Sequence, residues 1–96
     1  MGNHPAYPFE FSDLLLVIEV VSPGSGRYAY QTKRRLYLGN GIPEYWVLNP
    51  EARNISRWMG ADDPGQVFSE RIDWHPSGMP ASLVIDINEL FDDALG

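Results

Sequence analysis

Cysteine is absent from this chain of 96 residues. Its absence excludes a disulfide scaffold, thiolate zinc sites and a cysteine nucleophile, and fits a reducing cytoplasm. Histidine is almost absent. His4 and His75 stand far apart with no second ligand at metal-binding spacing, so each reads as a plain side chain. Long apolar runs are missing too. The longest, Leu14 to Ile18, falls far short of the roughly 20 residues that span a bilayer. The opening MGNHPAYPFE has neither the basic nor the apolar region of a signal peptide, and Ala6 stands where a myristoylation motif needs Ser or Thr. A cytoplasmic location with no membrane partner is the expectation. Positive charge is scarce: 7 basic residues face 13 acidic ones, for a formal charge of −6. A surface that attracts nucleic acid everywhere is excluded, though a local basic patch is not.

What is present is the composition of a folded domain, 44% hydrophobic and 21% charged. A chain this short buries about 60–65% of its unfolded surface, enough for one modest core. Residues 1–11, with Pro5 and Pro8, read as an extended lead-in. Leu14 to Val21 is an apolar run broken only by Glu19, the pattern of a strand buried on both faces. Ser22-Pro23-Gly24-Ser25-Gly26 ends it as a plain turn; no nucleophile or phosphate-loop motif surrounds Ser22 and Ser25. Tyr28 to Leu38 predicts a helix that carries Lys33, Arg34 and Arg35 and stops at Gly39-Asn40-Gly41.

Glu44 to Leu48 predicts a second strand, which makes a parallel strand-helix-strand unit. Asn54 to Met59 and Gln66 to Trp74 predict an antiparallel hairpin around the turn at residues 60–65. Leu83 to Ile87 predicts a last strand, and Ile87 to Leu95 a short helix that Asn88 could cap. Tyr45, Trp46, Trp58 and Trp74 fall on strands and read as packing. Asp92 and Asp93 read as solvated surface. The fold class is α/β with a mixed α+β sheet.

Glu19 is the informative residue. A charged carboxylate within an apolar strand is costly unless a cation, a metal, hydrogen bonds or water at the strand end meet it. Lys33, on the helix that packs back over the strand, could reach the same spot. A Glu and a Lys converging there would suit metal-assisted phosphodiester chemistry: the carboxylate would hold Mg²⁺ and the lysine would orient or deprotonate water. The alternatives are a structural ion pair for Glu19 and a solvated helix face for Lys33.

The run Ser12 to Pro23 resembles the "PDLVVEVLSP" signature of the Uma2 family, restriction-endonuclease-like proteins of the PD-(D/E)XK superfamily. Arg27-Tyr28, Lys33-Arg34, Leu36-Tyr37 and then Gly41 to Pro50 are similar to its "RYD…KR.LY…GVPEYWVVDP". Leu83 to Phe91 resembles its "LPGLSLDLAELF". The order of these blocks over residues 12–91 makes the likeness specific.

The resemblance implies a restriction-endonuclease-like core fragment with a metal-dependent nuclease site. In it Glu19 is catalytic and a metal ligand, the backbone carbonyl of Val20 is a second ligand, and Lys33 is the catalytic lysine moved from strand to helix. Val21 holds the position where that lysine ordinarily stands. Mg²⁺ or Mn²⁺ is the implied cofactor and DNA the implied partner, with Arg27, Arg34 and Arg35 as candidate phosphate contacts.

Departures accompany the likeness. Ala29 and Asn49 replace family aspartates, and Asp13 matches the later block, not the catalytic "PD". The strand bearing that aspartate precedes the matched region. The chain is therefore expected to be a single truncated domain over 1–96, compromised in catalysis. The rival expectation is a non-catalytic remnant that acts as a binding or oligomerisation module. An exposed sheet edge predicts a homo-oligomer in either case.

Overall fold

The computed structural model describes residues 14–76 and 78–95. The expected lead-in over 1–11, His4, Ser12 and Asp13 lie outside the described residues. The order is β1 (Val17–Val20), a π-helical stretch (Tyr28–Lys33) that runs into α1 (Arg34–Gly39), β2 (Tyr45–Asn49), β3 (Asn54–Trp58), β4 (Gln66–Phe68), β5 (Arg71–Trp74), β6 (Leu83–Asp86) and α2 (Ile87–Leu95). Among the described residues, no helix is long and apolar enough to cross a membrane.

Strands β1 to β4 form one mixed sheet in sequence order. β1 pairs parallel with β2 and places Glu19 opposite Val47. The β2–β3 and β3–β4 pairs are antiparallel. The strand-helix-strand unit and the hairpin thus stand as the sequence predicts. Alternation along β2 then makes two cores. Tyr45 and Val47 face the helix and pack with Val21, Ala29, Leu38 and Trp58. Trp46 faces the other way and packs with Ile55, Ile72, Ile87 and Phe91 under β5, β6 and α2.

The helix stops where expected. The N–H groups of Asn40 and Ile42 both donate to the Tyr37 carbonyl, at 3.1 and 3.2 Å, and Gly41 adopts φ +90°. A left-handed residue at that point is a glycine's task.

Three expectations are corrected. First, β1 is not a strand buried on both faces. Among the described residues it is the sheet's edge, and Ile18 and Val20 are 46% and 65% exposed. The β5–β6 pair and α2 cover β2 and β3 but leave Ile18 and Val20 on the same face of β1 exposed. Second, Gln66 to Trp74 is not one strand. The chain breaks after Phe68, and β5 leaves to pair with β6 in a second sheet. Glu70 anchors that departure, its carbonyl accepting the Ile87 N–H at 2.9 Å. Third, the cap of α2 is Asp86, whose Oδ1 accepts the Glu89 N–H at 3.0 Å. Asp86 sits one residue before the first helical position, where a capping side chain must stand; Asn88 is already inside the helix.

Candidate active site

Glu19 and Lys33 meet. Lys33 Nζ donates to Glu19 Oε1 at 2.9 Å, linking the edge strand to the last residue of the π-helical stretch. Neither group is sealed off: the lysine side chain keeps 35% of its exposure and the carboxylate 22%. The hydrogen bond and the charge of Glu19 raise the Lys33 pKa above its ordinary value. Lys33 is therefore a cation at neutral pH.

The helix geometry explains how the lysine arrives. Ala29, Lys33 and Tyr37 are spaced by four, and Ala29 and Tyr37 pack into the core beneath the helix. A four-residue repeat drifts one way around a 3.6-residue α-turn and the other way around a wider π-turn, so the π stretch followed by α1 returns Tyr37 to the side of Ala29. The same widening brings residues five apart together, and the Lys33 ammonium lies 5.6 Å from the centre of the Tyr28 ring.

An aromatic layer fixes the helix over the sheet. The buried Tyr45 hydroxyl donates to the Ala29 carbonyl at 2.8 Å, pinning β2 to the π-helical stretch. Burial, then the nearby Glu19 charge, pushes the pKa of this hydroxyl far up, so it remains a donor. Tyr37 stacks on Tyr45 at 5.8 Å, and Trp58 touches both Tyr45 and Tyr30 at 6.0 Å. From sequence, Tyr45 and Trp58 read as packing alone. The role of Tyr45 as the bolt behind the lysine is not visible there, because that contact joins residues sixteen apart.

The remaining predicted residues separate. Val17 and Val21 donate their N–H groups to the Glu44 and Leu48 carbonyls of the neighbouring strand at 3.1 and 3.0 Å. The alternation of a strand then turns the backbone of Ile18 and Val20 toward the open edge, so the Val20 carbonyl points away from β2. Arg34 is engaged: its Nε donates to the Tyr30 carbonyl at 2.7 Å and its guanidinium lies 5.4 Å from the Trp58 ring. Arg27 and Arg35 are exposed, with no side-chain hydrogen bond or ion pair among the described residues.

Glu44, a buried carboxylate, accepts the Trp46 indole N–H at 2.6 Å and so belongs with the opposite core. Ser22 and Ser25 close on each other as a turn, with two bonds of 2.9 Å. His75 is exposed. No group of three or more His, Cys, Asp or Glu side chains suited to a metal occurs among the described residues. What the described residues show here is a carboxylate, Glu19, paired with a cation, Lys33.

Comparison with known proteins gives this arrangement its context. No curated protein matches the chain. A crystal structure described as a putative nuclease belonging to DUF820, from Anabaena variabilis, superimposes with a TM-score of 0.59 at 19% identity. The match covers 80% of this chain but 43% of that one, so the chain spans less than half of its neighbour's length. At that identity the likeness is one of fold. The sequence model of a family described as "putative restriction endonuclease" matches residues 6–86, most of the chain and both members of the Glu19–Lys33 pair. The chain belongs to this family, Uma2.

Proposed function

We propose that Glu19 and Lys33 form part of a metal-dependent nuclease centre that hydrolyses phosphodiester bonds of DNA, in a cytoplasmic protein. The observation that carries this reading is the ion pair itself: a carboxylate in an apolar strand, met by a lysine from the covering helix, on the strand that is the sheet's edge among the described residues. The donor chemistry suits a hard cation. Lys33 occupies Oε1 of Glu19, and Oε2 together with the Val20 carbonyl would hold Mg²⁺ or Mn²⁺ through oxygen. Where Glu19 is the one carboxylate supplied by the described residues, the rest of the shell would be water and phosphate oxygen, a division Mg²⁺ accepts. When bound, such an ion polarises a phosphoryl oxygen and acidifies water.

The chain's own residues supply the rest. The Lys33 ammonium places a fixed positive charge where a phosphate would gather negative charge, and its N–H groups orient water there. With its pKa raised it has no lone pair at neutral pH, so it acts by charge and orientation and not as a base. Supercoiled plasmid incubated with Mg²⁺ or Mn²⁺ tests the reading. Metal-dependent nicking by the wild type, lost in Glu19→Ala and in Lys33→Ala, is expected. Nicking that survives Glu19→Ala, or none at millimolar metal, contradicts it.

One observation favours a second reading, a binding module that pairs with a second copy of itself. Among the described residues β1 is an edge strand with no partner on its outer side, and Ile18 and Val20 are exposed on it, a surface that recruits another strand. Edge pairing and metal binding would compete for the Val20 carbonyl. Light scattering at micromolar concentration separates them: a dimer that Val20→Lys disrupts supports pairing, and a monomer excludes it.

A further inference from the structure

Charge along this chain is segregated. Between Glu19 and Glu44 there is no acidic residue, yet the stretch holds Arg27, Lys33, Arg34 and Arg35, four of the seven basic residues. The remaining sequence sets three basic residues against all thirteen acidic ones. Within the basic stretch the structure sorts the side chains. Lys33 and Arg34 turn inward and are occupied. Arg27 and Arg35 stay exposed and unpaired among the described residues. Tyr28, next to Arg27 in the chain, is 58% exposed, with the Lys33 ammonium 5.6 Å from its ring centre.

We propose that Tyr28, Arg27 and Arg35 form a shelf for an unpaired nucleic-acid strand, one base stacking on the Tyr28 ring and the phosphates lying along the two arginines. The proposal rests on the nuclease reading of the neighbouring site and names the form of its substrate. Arg27 and Arg35 are eight residues apart on the helix, on the order of 10 Å along its axis. That spacing lets the two guanidinium groups lie along neighbouring phosphates of one chain. An exposed ring gains from a base only if the base face is free, and a duplex hides its base faces in the stack. The acidic remainder of the surface would repel a second strand held alongside, whereas one strand can follow the basic helix alone.

Fluorescence anisotropy with a labelled oligothymidylate of about 20 nucleotides, in EDTA, tests the shelf apart from any cleavage. A blunt duplex of equal length is the comparison. The wild type is expected to favour the single strand. Tyr28→Ala should weaken that binding roughly tenfold or more, while Tyr28→Phe, which keeps the ring, should not. The double change Arg27→Ala with Arg35→Ala should lower the slope of log affinity against log salt by about 1.4, at about 0.7 per phosphate contact on a single strand. Arg71→Ala, a change of one exposed arginine on the other sheet, should leave the slope unchanged. Tyr28 is exposed, so circular dichroism of Tyr28→Ala should match the wild type. Equal or tighter duplex binding, no binding, or a Tyr28→Ala protein that binds like the wild type overturns the shelf. Single-strand binding that fits this pattern without metal-dependent nicking overturns the nuclease reading instead.

Discussion

Lys33 and Glu19 are fourteen positions apart in sequence and 2.9 Å apart in space, and the π-helical turn before Lys33 sets that approach. The pair holds the lysine's proton more firmly than water would. A raised folded-state pKa adds stability below the ordinary 10.5 and loses it as pH climbs through the folded value. NMR titration should therefore place the Lys33 Nζ midpoint above 10.5, and Glu19→Gln should bring it back toward that value. A midpoint that ignores Glu19→Gln would break the link.

Tyr45→Phe removes the hydroxyl that pins β2 to Ala29. It leaves a buried carbonyl without its donor, at a cost of about 1–3 kcal/mol. For a domain of this size each kcal/mol lowers the melting temperature by roughly 4–8 °C. Differential scanning calorimetry should show that fall.

Gly65 has φ +93°, and an added Cβ there would run into the Trp58 indole. Gly65→Ala thus combines backbone strain with overpacking of a core tryptophan, and should cost roughly 2–3 kcal/mol. Urea denaturation checks this. Gly39→Ala, where a Cβ meets open space within α1, is the control and should be neutral or slightly stabilising.

Asp63 accepts the N–H groups of Gly65 and Met59 at 2.8 and 2.7 Å, which holds its carboxyl below the ordinary 3.8. A depressed pKa contributes stability that is present above 3.8 and lost as pH falls through the folded value. Asp63→Asn should therefore destabilise the β3–β4 hairpin at neutral pH, and the difference from wild type should shrink below pH 3.8. Melting curves across that window decide it.

The legible parts of the fold are those written in local chemistry. The turn after Val21, the helix stop at Gly41 and the parallel pairing of β1 with β2 follow from short-range signals. Glu19 stood out because a carboxylate interrupted an apolar run, and Lys33 because its helix had to return over that strand. The break after Phe68 was hidden because Phe68, Ile72 and Trp74 keep a period of two across it. Glu70, polar and exposed at the in-phase position, was the one local sign. The open face of β1 was hidden for a different reason: an apolar run reports affinity for burial, not what lies opposite. Tyr28 became a neighbour of Lys33 through a π-turn, and α-periodicity does not reveal a pairing of residues five apart.

The nuclease proposal depends above all on Glu19 binding a metal ion beside the charged lysine. Adding Mn²⁺ to ¹⁵N-labelled protein and mapping paramagnetic broadening tests it directly. Loss of signal centred on Glu19 and Val20, spreading to Lys33 and restored by Glu19→Gln, is expected. Broadening that ignores Glu19→Gln, or that gathers instead at Asp92 and Asp93, would contradict it.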